Sequence, residues 1–165
     1  MTHSTATRYE SDFCGWIDDQ AQLLRSGKFT QLDIDNLVEE IEAMGRSEKR
    51  SLESHLAVLL MHLLKWQYQP DYRGRSWMLT IQEQRIQVRN LVRDSPSLKH
   101  TLAQHINRAW EQARIKAERE TKIHQSLFPP QCIWAFEQIL DDAFWPEGAS
   151  RLDTGTPENT DSPNH

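Results

Sequence analysis

The stretch SHLAVLLMHLLKWQYQP, residues 54–70, holds five leucines, two histidines seven positions apart and a closing proline. Placed at 100° per residue from Leu52, the side chains of Leu56, Leu59, Leu60 and Leu63 fall within about −20° to +80°. His55, His62 and Trp66 share one flank of that face, at about −60°, −80° and −40°. Val58 and Met61 carry apolar character round most of the circumference. A helix apolar on nearly every side is buried on nearly every side, so this segment predicts the central helix of an all-α bundle, with His62 substantially buried. Gln69-Pro70 ends it, because a proline disfavours helical geometry in the residue before it.

Working outward, the chain reads as helix after helix. Tyr9, Phe13, Trp16, Leu23 and Leu24 form an apolar stripe that Gly27 is placed to stop. Asp33 is an N-cap candidate for an acidic helix presenting Leu37, Val38, Ile41 and Met44 and ending at Gly45, with Ser47 capping the next. A fourth helix is expected over about 76–93, and a fifth from Asp94 or Ser95, with Pro96 in its first turn, to about Glu120. Gln131–Asp142 offers a short last helix. No strand alternation, glycine-rich phosphate loop or internal repeat interrupts this pattern. The expectation is a single helical domain over 9–148, five to six helices arranged up and down, with a flexible start at 1–8. The segment from Ala149 to the end has almost nothing to bury and is expected to be disordered.

Composition narrows the class. The 165 residues carry a net charge of −5 and are 38% hydrophobic. No apolar run approaches the ~18 residues of a membrane span, and the N-terminus lacks the basic-then-apolar order of a secretory signal. Cys14 and Cys132 form no metal-type or CxxC spacing, which points to two reduced thiols and a cytoplasmic protein. Charge is uneven along the chain. Residues 1–45 carry 3 basic and 9 acidic side chains, 46–125 carry 15 and 8, and 126–165 carry 1 and 7. A basic middle could face phosphates, but the overall negative charge favours pairing of acidic and basic helices within the fold.

The candidate polar cluster is Glu39, Glu42, His62, Gln84 and Arg85. Histidines at i and i+7 lie about 10 Å apart along a helix, too far to share one ion easily. His62 could instead join Glu39 and Glu42, an i, i+3 carboxylate pair, in a zinc or iron site. The simpler reading makes His62 a structural histidine bonded to Gln84 or to a carboxylate of the preceding helix. Gln84 sits in the inner stripe of the fourth helix and must find a partner there. Arg85, Arg89 and Arg93 repeat every four residues with no acid one turn away on their own helix, so Glu39, Glu40 and Glu42 are their expected partners. Cys132 and His105 read as packed core groups.

Together YESDFCGWIDDQAQLLRSG, LDIDNLVEEIEAMGRSEKRSLESHLAVLLMHLLKWQYQP, RSWMLTIQEQR, DSPSL and FPPQC resemble a bacterial, largely cyanobacterial family known as domain-of-unknown-function family twenty-nine. The resemblance covers about Tyr9 to Pro146 and departs at QCIW, where the family commonly places proline after the cysteine. It implies a helical cytoplasmic protein and brings no reaction, cofactor or catalytic residue with it.

Three functions stay open, with no cofactor expected in the first. One is a non-catalytic module that binds another protein or itself, away from membranes. The second is a metal-dependent enzyme built on Glu39, Glu42 and His62. The third is nucleic-acid binding through the basic middle segment.

Overall fold

A computed structural model describes residues 6–147, and every described element is helical. The helices are α1 (Ala6–Ser11), α2 (Phe13–Arg25), α3 (Ile34–Tyr68), α4 (Arg75–Asp94), α5 (Leu102–Thr121) and α6 (Phe136–Leu140). Short 3-10 turns stand at Phe29–Gln31, Pro70–Tyr72, Pro96–Thr101 and Gln125–Leu127. The chain forms two compact units that divide between Arg50 and Ser51, inside α3. The tail expected from Ala149 onward lies outside the described residues. So do residues 1–5 of the expected flexible start, whereas 6–8 belong to α1.

The N-terminal unit is a helical hairpin. Asp12 separates α1 from α2 and caps the latter, its carboxylate accepting the Gly15 N–H at 3.0 Å. Gly27, at φ +71°, closes α2 in the left-handed conformation glycine tolerates, while the Lys28 N–H reaches the Leu23 carbonyl. The turn into α3 is tied at Asp33. Its carboxylate accepts from Trp16 Nε1 at 3.1 Å and Asn36 Nδ2 at 2.8 Å, and its N–H donates to Gln20 Oε1 at 2.8 Å.

The second unit is an up-down-up arrangement on the C-terminal half of α3. Lys65 meets Trp77 near the connecting loop and His55 meets Gln84 farther out, so α4 runs antiparallel to α3. Glu53 meets His105, and Lys65 meets Glu120, so α5 runs parallel to α3. Between them Leu52, Leu56, Leu59, Leu60, Leu63 and Leu64 pack with Ile81, Val88 and Trp110. Ala109, Ala113 and Ala117 recur every four residues on α5, all fully buried, and let that helix approach closely. The central-helix reading of 54–70 therefore holds, with Trp66 half-buried at its end.

Gly45 does not end a helix. The expected break at 45–47 is absent, and α3 runs unbroken for 35 residues. An exposed glycine inside a helix costs about 1 kcal/mol relative to alanine, which lowers stability without forcing a stop. A glycine most often ends a helix by taking a positive φ, and Gly45 does not take one. A Cβ at Gly45 would meet nothing within 4 Å. Gly45→Ala is expected to raise stability by about 0.5–1 kcal/mol, read as a higher urea midpoint at unchanged slope. A fall would mean the helix breaks there.

Candidate docking site

The apolar stripe of α2 and the first half of α3 is only partly covered. Trp16 and Gln20, each 2% exposed, form the floor between the two helices. Phe13, Ile17, Ala21 and Leu24 rise on one side, and Leu37, Ile41 and Met44 on the other, around a groove of about 440 Å³. Ile41 and Met44 are 66% and 69% exposed, and Phe13, Ile17 and Leu24 are exposed as well. Ile34 and Val38 extend the α3 side outward. Large apolar side chains clustered on one face mark a surface with a partner more often than singly scattered ones do.

The groove is held rigid from beneath. The Asp33 network fixes the crossing of α2 and α3. Tyr9 stacks edge-on against Trp16 at 4.8 Å and donates its hydroxyl to Glu40 Oε1 at 2.6 Å. That hydrogen bond to a carboxylate, assisted by burial, raises the Tyr9 phenol above its usual range. Arg8 pairs with Asp12 and Asp19, pinning α1 to α2.

The five residues singled out in the sequence do not form one cluster. Glu39 and Glu42 both pair with Arg46, at 3.0 and 3.6 Å, on the exposed side of α3. Both carboxylates thus take as partner a cation one to two turns along their own helix. Among the described residues no group of three His, Cys, Asp or Glu side chains is placed to hold a metal. His62 donates Nδ1–H to the carbonyl of Val58, one turn back, at 2.9 Å. Gln84 belongs to His55 instead, at 2.7 Å. The antiparallel register explains the exchange: His62 lies close to the loop, opposite the first turns of α4, short of Gln84.

The arginine row also has other partners than the acidic helix. Arg85, fully buried, donates Nε–H to the carbonyl of Ile139 at 2.8 Å and Nη2–H to that of Phe144 at 2.6 Å. Arg89 donates to the carbonyl of Leu140 and pairs with Asp142 at 2.7 Å, while Arg93 pairs with Asp94. Arg73 reaches the carbonyls of Trp66 and Pro146. Trp66 and Trp145 meet with ring centroids 4.6 Å apart and planes tilted by 45°, with Arg73 over the first ring and Arg85 over the second. These side chains fasten residues 139–146, much of which lacks helical hydrogen bonds of its own, to α4.

A second polar cluster was legible only as an inward histidine. His105, 2% exposed, bonds Glu53 through Nδ1 at 2.8 Å and Thr101 through Nε2 at 2.9 Å, and Arg108 reaches the same carboxylate at 3.2 Å. The order of groups is that of a hydroxyl–imidazole–carboxylate relay, with the imidazole buried and Thr101 and Glu53 partly exposed; it ties α5 to α3. Cys132 is half-buried, and burial pushes its thiol up. Cys14 is exposed on α2.

An all-helical chain with a rigid, open apolar groove on its N-terminal hairpin is the class these features define. Within that class, the family described as Domain of unknown function DUF29 matches residues 8–145, and the chain belongs to it. No curated protein and no solved structure matches the chain. No described helix is long and apolar enough to cross a membrane.

Replacing Arg85 by leucine leaves the Ile139 and Phe144 carbonyls without their donors, at about 1–3 kcal/mol for each buried group. Arg85→Leu is therefore expected to lower stability by roughly 2–5 kcal/mol in urea. Arg93→Leu, at the exposed end of the row, should change it by less than about 0.5 kcal/mol. Equal effects would refute the fastening role.

Burial holds the His62 imidazole below its ordinary pKa of 6.5, outweighing the Val58 carbonyl and Glu120, which favour the cation. The unfolded chain then binds the proton more readily than the folded one. The stability this group contributes is complete above about pH 6.5 and is lost as pH falls toward its lower folded value. His62→Gln should flatten the fall in urea midpoint between about pH 7.5 and 5. An unchanged slope would show that His62 titrates normally.

Proposed function

We propose that the protein is a non-catalytic interaction module that docks another protein in the α2–α3 groove. The observation that carries this reading is the exposure of Phe13, Ile17, Leu24, Ile41 and Met44 around one rigid floor. Exposing so many large apolar side chains on a single face costs solubility, and a partner that covers them offsets that cost. The basic middle segment supports the same ranking. Lys65, Arg73, Arg85, Arg89, Arg108 and Arg114 are all engaged within the fold, leaving fewer cations for phosphates.

A photo-cross-linker on the exposed Cys14, which follows the groove residue Phe13 in the chain, tests this in extracts of the source cell. The control carries the same probe on a cysteine placed at the exposed Ile115, in a Cys14→Ser background. The expected result is an adduct from Cys14 that mass spectrometry assigns to one partner. Unlabelled protein should compete it away, and Ile41→Asp protein should not. Adducts that are the same from both probe positions would defeat the docking role.

A further inference from the structure

The chemistry around the groove defines what fits it. The hairpin that forms it, residues 8–46, carries nine carboxylates against four cations; Arg8 and Arg46 pair with Asp12, Asp19, Glu39 and Glu42, and the remaining two cations are Arg25 and Lys28. Both cations stand at the turn end of the hairpin, beyond or at the last residue of α2. Glu40 lines the groove itself, and Asp18, next to Ile17 in the chain, is exposed. On α3 the apolar positions Ile34, Leu37, Ile41 and Met44 alternate by three and four residues, the spacing of one seam of a helical bundle. Phe13, Ile17, Ala21 and Leu24 supply the matching seam on α2. Two adjacent seams with open outer edges are two thirds of a three-helix bundle.

Resting on the docking role proposed above, we infer that the groove receives one amphipathic helix whose apolar face is flanked by lysine or arginine. Charge selects this occupant over the alternatives within the chain. A second copy meeting the first groove to groove would bring two hairpins of the same net negative charge together, and like charge opposes that encounter. Residues 148–165 contain one large aliphatic side chain, Leu152, and three carboxylates against one arginine, so they offer neither an apolar stripe nor the complementary charge. A basic-flanked helix supplies both. Its apolar residues fill the line between the two seams, and its cations meet Glu40 on the groove wall and the net negative charge of the hairpin around it. The interaction belongs to the helix-in-groove mode, in which i, i+3, i+4 and i+7 side chains act as anchors.

The test uses the full chain and two synthetic peptides of about 18 residues, the length of five helical turns. Both carry leucine at the i, i+3, i+4 and i+7 anchor positions. One has lysine and arginine on the flanks and the other has glutamate at the same places. By titration calorimetry the basic peptide is expected to bind at least roughly tenfold more tightly, with the difference shrinking from about 50 to about 300 mM salt. Ile41→Asp should abolish binding, and Asp18→Lys should narrow the gap between the peptides. Ile115→Asp should bind as the unaltered chain does. Circular dichroism of each variant separates lost binding from lost fold.

Equal binding of the two peptides, or tighter binding of the acidic one, would overturn the charge selection. Binding of neither would overturn the helix occupant. A groove-dependent dimer would also overturn it, seen by sedimentation as a dimer that Ile41→Asp returns to monomer. In the first two cases a competed Cys14 adduct keeps the docking role standing, whereas loss of that adduct removes the role itself.

Discussion

Peptide carbonyls that lie outside regular helix must still find donors, and in this protein arginine side chains supply them. Residues 139–146 include the end of a five-residue helix and a turn, which leaves their carbonyls exposed to the core. Arg85 and Arg89 from α4, and Arg73 from the loop before it, satisfy four of those groups. Once fastened, the segment places Ile139 in the core and Trp145 against Trp66. Burial lowers the Arg85 pKa, and nearby Asp142 and Asp141 offset part of that. Trp110 and Arg114 act similarly on α5, donating to the carbonyls of Pro129 and Gln125 at 2.9 and 3.0 Å.

The N-terminal unit solves a different problem. Among its described residues no long irregular segment needs donors, and side-chain hydrogen bonds gather at the turn into α3. Asp33 accepts two side-chain donors while its own N–H and carbonyl are both used, so the α2–α3 crossing has little freedom. That rigidity matters for binding, because a groove already in its bound shape loses less conformational entropy when filled. The acidic side chains sort themselves accordingly. Asp12, Asp19, Glu39 and Glu42 are neutralised locally by Arg8 and Arg46. Asp18 is exposed with no ion pair among the described residues, and Asp35 stands in the first turn of α3, where the helix dipole favours it.

The histidines divide by depth and register. His105 is enclosed and saturated, with an acceptor at one ring nitrogen and a hydroxyl at the other. His55 meets Gln84, and His62 turns back onto its own helix. Three histidines that look alike along the sequence thus take three different partners. One is a carboxylate, one an amide and one a backbone carbonyl.

The sequence by itself determined the helical class, the stops at Gly27 and Pro70, the central position of 54–70 and the inward face of His105. Each of these follows from local chemistry, namely the 3.6-residue repeat, positive φ at glycine and the geometry before proline. Family membership was also legible there, in strings such as NLVEEIEAMGRSE and HLLKWQYQP. Tertiary structure decided the rest. Long side chains such as Arg85 can swing to any neighbour within several ångströms, so their partners depend on which segment packs beside them. Gln84 lies within reach of a turn's ambiguity between two histidines, and only the interhelical register resolves it. Gly45 leaves helix or break open, because the roughly 1 kcal/mol it costs is small beside the packing of the helix that carries it. The groove is the deepest case. An apolar stripe has the same periodicity whether a neighbouring helix covers it or nothing does, so its exposure on α2 and α3 exists only in three dimensions.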